Sequence, residues 1–211
     1  MITPLIALLF LAAPLALGGD LKQRELDLGK LREGDLPQEI FVIDGSIQIK
    51  IRKSGKVIEI SGDNPEVDAG AVIGPSANGA ATIEARILAS KAGRSFPRFG
   101  IGVHGQTGFR LFIVAARNEL RLVKSDEVIK TVPFDWKSGS HVMLRLTFSP
   151  AGAGKWTVTG KAWTAETPEP AGAQIRHEVT GPAPHGQGSI WATPYAGTPV
   201  DFDEIKVGVD G

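Results

Sequence analysis

The closing stretch of the chain, PVDFDEIKVGVDG at positions 199–211, shows the period-2 alternation that is typical of a β-strand. Its apolar residues form two alternating runs, Val200 with Phe202 and Ile205 with Val207. The alternation shifts by one residue at Asp203-Glu204, which predicts a strand with a β-bulge. The acids between the apolar residues are either a carboxylate cluster with a chemical role or polar positions of a last strand.

Similar short runs rich in Val, Ile, Thr and Phe recur along most of the chain. The 26 glycines and 14 prolines of the 211 residues fall between them, as expected for turns that separate short strands. About a dozen strands in one domain of this length predict two antiparallel sheets packed face to face. The sequence therefore predicts an all-β fold, a two-sheet jelly-roll sandwich.

The charge and the composition exclude several classes of function. Lys and Arg together number 23, as do Asp and Glu, so the chain has no basic excess for binding nucleic acid. It has no cysteine, and its four histidines show neither H-x-H nor H-E-x-x-H spacing. We expect no nucleic-acid partner, no metal site and no cofactor.

The N-terminus carries an apolar run from Leu5 to Leu17, followed by the small residues of a signal-peptidase site at Ala16-x-Gly18. We expect residues 1–18 to be a signal peptide, residues 19–39 a lead-in segment with an edge strand, and residues 40–211 the sandwich domain. The mature protein is then secreted or periplasmic, with no membrane span. An uncleaved membrane anchor is the alternative, because the start of the chain has no Lys or Arg.

The stretch FPRFGIGVHG, positions 96–105, predicts a strand with two unlike faces. Phe99, Ile101 and Val103 share the apolar face, whereas Arg98, Gly100, Gly102 and His104 share the other. Strand glycines leave bare backbone that another group can approach, or a large side chain of a neighbouring strand fills the gap. The predicted floor of a ligand site consists of Arg98, His104, Arg110 and Arg145, brought together if their strands share one sheet. Such a basic floor needs either a ligand rich in carboxylate, sulfate or hydroxyl groups, or nearby acids such as Glu84.

Three aromatic residues, Trp163, Trp191 and Tyr195, lie close to predicted loops, where flat apolar faces with a polar edge suit stacking on sugar rings. Packing beneath the loops is the alternative for each of them. Two residues are candidates for a catalytic base. They are Glu84, the only acid in its strand, and His104.

Six motifs occur in order along positions 41–207: Gly100-Ile101-Gly102, Gly108 to Leu111, Trp136-Lys137-x-Gly139, Gly160-Lys161-Ala162-Trp163, Glu169-Pro170, and Phe202 to Val207. This order resembles the concanavalin A-like lectin/glucanase sandwich. It is most similar to the branch of 3-keto-disaccharide hydrolase-like, or laminin-G-like, domains of secreted bacterial proteins. The resemblance implies that the closing stretch is the last strand, with its apolar residues in the core, its acids at a turn or edge, and Asp203 bonded to nearby backbone.

That branch carries an acid-x-Gln pattern in a central strand near the sugar site, and the matching GFRLFIVAA at 108–116 has neither residue. We therefore expect a carbohydrate-binding module that uses a concave sheet face. Two alternatives stay open. One is a glycoside hydrolase or lyase acting on a modified, 3-keto, disaccharide or glycoside, and the other is a structural envelope module that binds protein.

Overall fold

The computed structural model describes residues 21–210. The predicted signal peptide lies outside the described residues. The described part forms fifteen strands: β1 Lys22–Glu25, β2 Ile40–Asp44, β3 Ile47–Arg52, β4 Gly55–Ile60, β5 Ala69–Asn78, β6 Ala81–Leu88, β7 Arg98–Val103, β8 Phe109–Val114, β9 Glu119–Lys124, β10 Glu127–Pro133, β11 His141–Gly152, β12 Lys155–Thr164, β13 Ile175–Thr180, β14 His185–Thr193 and β15 Val200–Val209. A short 3₁₀ turn, Ala115–Arg117, follows β8.

All the strands pair antiparallel in two sheets. Sheet A has the order β13-β12-β11-β6-β15-β4-β3, with β1 added beside β15, and sheet B has the order β10-β9-β8-β7-β14-β5-β2. The inner faces of the two sheets enclose one large apolar core that includes Phe99, Leu144 and Phe202. The predicted all-β, two-sheet sandwich is confirmed.

Strand β15 confirms the predicted bulge. Its pairing with β6 shifts register between Asp203 and Lys206, and Glu204 adopts a left-handed φ of 48°. The extra residue restores the alternation, so Phe202 and Ile205 both lie in the core.

The acids of β15 are not turn or edge groups, and that expectation is wrong. The last strand lies inside sheet A, between β6 and β4, so its outward carboxylates meet side chains of neighbouring strands. Asp201 accepts hydrogen bonds from Arg52, and Asp203 accepts two from Arg86 at 2.8 and 2.6 Å. These bonds to carboxylates raise the pKa of both arginines.

Strand β5 is a strand that the sequence pattern does not predict. Its sequence, AGAVIGPSAN, contains two glycines and a proline, which are depleted in strands. It nevertheless pairs with β14 and β2 in sheet B, with a register shift near Gly74. Residues 21–210 contain no helix with the length and apolarity to cross a membrane.

Candidate functional site

The outer face of sheet B carries a row of glycine and aromatic residues. Across four neighbouring strands the register runs Gly70, Trp191, Gly100, Phe112. These residues point away from the core because their chain neighbours, such as Ile101 and Ile190, are fully buried inside it. The two rings form a small apolar cluster of their own, together with Val123.

The glycines of this row make room for the rings. A Cβ atom at Gly70 would lie 2.6 Å from Cζ3 of Trp191, and one at Gly100 would lie 2.8 Å from Cδ1 of Phe112. Both distances are too short for real contacts, so the indole and phenyl groups occupy the space that side chains at these positions would fill. Large neighbouring side chains therefore fill the gaps, which is the alternative that the sequence left open.

Two arginines cover the rings. The guanidinium carbon of Arg110 lies 4.8 Å from the ring centroid of Trp191, and that of Arg98 lies 4.9 Å from the centroid of Phe112. These distances are within the range of cation–π attraction. Arg98 and Arg110 of the predicted floor therefore do share one face.

Two aspartates neutralise these arginines. Asp68 Oδ1 lies 2.9 Å from Arg98 Nη2, and Asp68 Oδ2 lies 3.7 Å from Arg110 Nη1. Asp126 Oδ1 accepts a hydrogen bond from Arg110 Nη2 at 2.5 Å. We call Asp68, Arg98, Arg110 and Asp126 the arginine–aspartate cluster. Its two positive and two negative charges balance. Of the two alternatives for the basic floor, acids therefore neutralise the arginines, but these acids are Asp68 and Asp126 and not Glu84.

The arginine–aspartate cluster lines a shallow depression of about 100 Å³ on the outer face of sheet B. Arg121 also lines it and is paired with Glu119 on the same strand, so this part of the face adds no net charge. The Nε atoms of Arg98 and Arg110 are buried and have no hydrogen-bond partner among the described residues. At its surface the face therefore offers the partly exposed guanidinium of Arg98 and the carboxylates of Asp68 and Asp126, with the unpaired Nε atoms beneath them.

Arg145 does not join this site. It lies on β11 in sheet A, and its carboxylate partners are Glu84, on the adjacent β6, and Glu169, from the loop after β12. Lys206 also lies 3.4 Å from Glu84, and a hydrogen bond from Lys161, helped by the charge of Arg145, lowers the pKa of Glu169. The expectation that Arg145 shares a face with Arg98 is wrong because the strand order puts β7 and β11 in different sheets.

His104 also lies away from the outer face. Strand β7 ends at Val103, and the left-handed φ of 64° at His104 reverses the alternation that the sequence implied. The imidazole packs edge-on against Phe148, with ring centroids 4.8 Å apart, and its Nε2 lies 2.8 Å from the Gly79 carbonyl oxygen. Burial lowers the pKa of His104.

The three aromatic candidates occupy three different environments. Trp163 lies on sheet A beneath the guanidinium of Arg145, at 5.7 Å from ring centroid to guanidinium carbon. Trp191 is in the floor of the outer face of sheet B and only 3% exposed, so it is not a rim residue. Tyr195 is 49% exposed. It lies two residues after Thr193, which pairs with Arg98 across strands β14 and β7.

Sequence reasoning missed both aspartates of the cluster. Asp126 is in the two-residue turn between β9 and β10, where Ser125 and Asp126 both have positive φ values. Turn aspartates are common for conformational reasons, and nothing local marks this one as a partner of Arg110. Asp68 immediately precedes the unpredicted strand β5, so its position beside sheet B was hidden as well.

The described residues contain no group of three or more His, Asp or Glu side chains that could hold a metal ion. The two candidate bases lie apart: Glu84 is buried on sheet A beneath Arg145, and His104 is at the end of β7 in sheet B. They do not form a common catalytic site.

No protein-family model and no curated protein sequence matches the chain. Solved structures do match it. The carbohydrate-binding module CBM66 from Bacillus subtilis aligns over 80% of this chain and 94% of its own, at 12% identity and a TM-score of 0.53. The marine PL-14 alginate lyase from Aplysia kurodai aligns over 82% and 91%, at 12% identity and a TM-score of 0.52.

A third match is the exoplasmic/lumenal domain of VIP36 in its Ca²⁺/Man3GlcNAc-bound form, over 84% of this chain and 86% of that domain, at 9% identity and a TM-score of 0.54. The fold is a jelly-roll sandwich. Identities this low show the jelly-roll architecture and leave the function to be argued from the residues of this chain.

Proposed function

We propose that the protein binds carbohydrate through the outer face of sheet B, with the arginine–aspartate cluster as the centre of the site. The observation that carries this proposal is the pairing of two arginines with two aspartates above a buried aromatic floor, with Arg98, Asp68 and Asp126 reaching the surface. A sugar hydroxyl both donates and accepts hydrogen bonds, so it can satisfy an aspartate and an arginine at once. The carbohydrate-binding and lectin structures with the same fold support this assignment as an analogy.

The charge balance of the face favours a neutral glycan. A polyanion would be attracted by Arg98 and Arg110 but repelled by Asp68 and Asp126 at similar distances. These opposite electrostatic contributions to binding largely cancel. Neutral polyhydroxyl ligands carry no such penalty. We therefore propose a neutral polysaccharide, rather than an acidic one, as the ligand class.

The length of the face suits an oligosaccharide. Phe41, 72% exposed on β2, belongs to the same outward row as Arg110 on β8, reached through Val72, Ser189 and Gly102. Four strand spacings separate the two residues, which is about 19 Å at roughly 4.8 Å per spacing. Exposed Phe41 and Tyr195 then supply apolar surface at the margins of the site, where sugar rings can stack.

The test is a glycan-array screen of the protein with neutral and acidic polysaccharides, followed by calorimetry on the hits. We expect Arg98→Ala to weaken binding about tenfold or more, because it removes a charge-assisted hydrogen-bond donor. Arg145→Ala, the matched arginine of sheet A, should leave the affinity unchanged. Equal affinities for wild type and Arg98→Ala, with both proteins folded, would refute the site.

The same hits test the enzymatic alternative. Each bound glycan is incubated with the protein, and its length and reducing ends are followed over hours. Intact glycan after incubation supports a binding module, whereas shortened or unsaturated products would assign a hydrolase or lyase. The resemblance to the 3-keto-disaccharide hydrolase-like branch makes 3-keto-disaccharides the substrates to include.

We also infer export of the protein, from the apolar run Leu5 to Leu17 and the site at Ala16-x-Gly18. Removal of 18 residues leaves 211 − 18 = 193 residues. The intact mass of the protein recovered from its native envelope or medium decides the matter. A mass that retains Met1 would contradict cleavage.

A further inference from the structure

A second cavity, independent of the proposed glycan face, lies between the two sheets at one end of the sandwich. It has a volume of about 400 Å³, which is within the usual range for small-molecule sites. Phe109 of sheet B and Phe148 and Val179 of sheet A line it, as does the loop from Gly181 to Pro184.

A polar side chain lies beside each of the two phenyl rings that line the cavity. Lys124 Nζ lies 5.1 Å from the centroid of the Phe109 ring, and the His104 ring lies 4.8 Å from that of Phe148. The centroids of the two phenyl rings are 6.0 Å apart. Lys124 and His104 thus face the same cavity from its two aromatic walls.

His104 presents an acceptor without a partner. The Gly79 carbonyl can only accept, so Nε2 of the imidazole donates to it and Nδ1 carries the lone pair. Nδ1 is buried and has no hydrogen-bond partner among the described residues. His104 as a whole is only 5% exposed. Desolvation by burial lowers the pKa of His104, although the hydrogen bond to Gly79 and the charge of Asp210 act in the opposite direction.

Lys124 presents a charge without a partner. It is exposed, and no carboxylate of the described residues lies within 4 Å of its ammonium group. Its register partner across the β9–β10 hairpin, Glu127, does not reach it either. None of the residues that line the cavity is acidic.

We propose that this cavity binds a small hydroxylated aromatic carboxylate. The ring of the ligand lies against Val179 and Pro184, the partly exposed apolar residues beside Phe109, its carboxylate pairs with Lys124, and its hydroxyl donates to Nδ1 of His104. Nδ1 of His104 has no hydrogen-bond partner and Lys124 no carboxylate partner among the described residues, and burying an apolar ring provides the main driving force.

The probe is 4-hydroxybenzoate, titrated into the full chain and followed by heteronuclear NMR. Benzoate lacks the hydroxyl and 4-hydroxybenzamide lacks the charge, so they test the contacts with His104 and Lys124 without altering the protein. We expect saturable shifts around Phe109 and Val179 with 4-hydroxybenzoate and weaker binding of both analogues. The absence of saturable shifts at millimolar probe, or equal affinity for all three compounds, would overturn the proposal.

Variants provide the matched test. Lys124→Gln should weaken 4-hydroxybenzoate about tenfold, the order expected for a charge-assisted contact, whereas Lys137→Gln, an exposed lysine in the loop before β11, should not. Ala183→Trp, in the loop that lines the cavity, should abolish binding by filling the cavity. Equal affinities in Lys124→Gln and Lys137→Gln would contradict the carboxylate contact. Arg98→Ala should leave this binding intact, which separates the cavity from the glycan face.

Discussion

The guanidinium carbon of Arg110 lies 4.8 Å from the ring centroid of Trp191 on the outer face of sheet B. Both residues are almost fully buried, with 4% and 3% exposure, although they point away from the core. The rings and Arg110 therefore form a floor, and a ligand meets the guanidinium of Arg98 and the carboxylates of Asp68 and Asp126 first. This layering explains why the proposed site recognises hydroxyl groups and uses Phe41 or Tyr195, not Trp191, for apolar contact.

Truncation of the core should be costly on both sheets. Leu144 and Phe202 are fully buried, so Leu144→Ala and Phe202→Ala should each lower the free energy of unfolding by about 2 to 5 kcal/mol. Urea denaturation measures this. Ile51→Ala, at a residue 57% exposed, is the control and should change stability by less than about 0.5 kcal/mol. Losses that small in the two core variants would show that the assignment of the inner face is wrong.

Gly100→Ala should destabilise the protein by about 1 to 3 kcal/mol, because the added methyl group would overlap the Leu111 carbonyl oxygen and crowd the Phe112 ring. Gly172→Ala is the matched control, since a Cβ atom there would meet nothing within 4 Å. Thermal unfolding of both variants gives the comparison. If Gly100→Ala is as stable as Gly172→Ala, the Phe112 ring of β8 does not pack closely over Gly100 of β7.

Removing the acids should convert the glycan face to a cationic one. In the double variant Asp68→Asn with Asp126→Asn, Arg98 and Arg110 lose their carboxylate partners. We expect this variant to bind dextran sulfate with an affinity that falls as salt rises, because screening weakens exposed charge pairs. Wild type should bind it weakly at every salt concentration. Tight, salt-dependent binding by wild type would contradict a neutral-ligand site.

His104 should make the protein less stable in acid. Burial lowers its pKa in the folded state, so the unfolded chain takes up a proton more readily once the pH falls below about 6.5. The stability that the neutral ring contributes is present above that pH and is lost progressively as the pH falls toward the folded-state pKa. Chemical denaturation at pH 8 and pH 5 should therefore show a larger loss for wild type than for His104→Gln. Equal losses would place His104 in a solvated environment.

The sequence by itself determined the strands and their two faces, because side-chain alternation is a local property of an extended chain. It placed Phe99 on an apolar face and Phe202 in the core and located the bulge at Asp203-Glu204, and the structure agrees on each. It missed β5, whose glycines and proline disguise a strand that only its neighbours in sheet B stabilise.

Only the tertiary structure decided which faces meet. Sequence alternation put Arg98, Arg110 and Arg145 on outward faces, but the order of strands in the sheets sends β11 to sheet A and β8 to sheet B. It likewise puts the last strand at the middle of a sheet, where Asp203 pairs with Arg86. Such pairings join residues far apart in the chain and depend on the packing of the whole core, so no local pattern encodes them. Asp68 and Asp126 therefore became visible as partners of Arg110 only once the sandwich had been assembled.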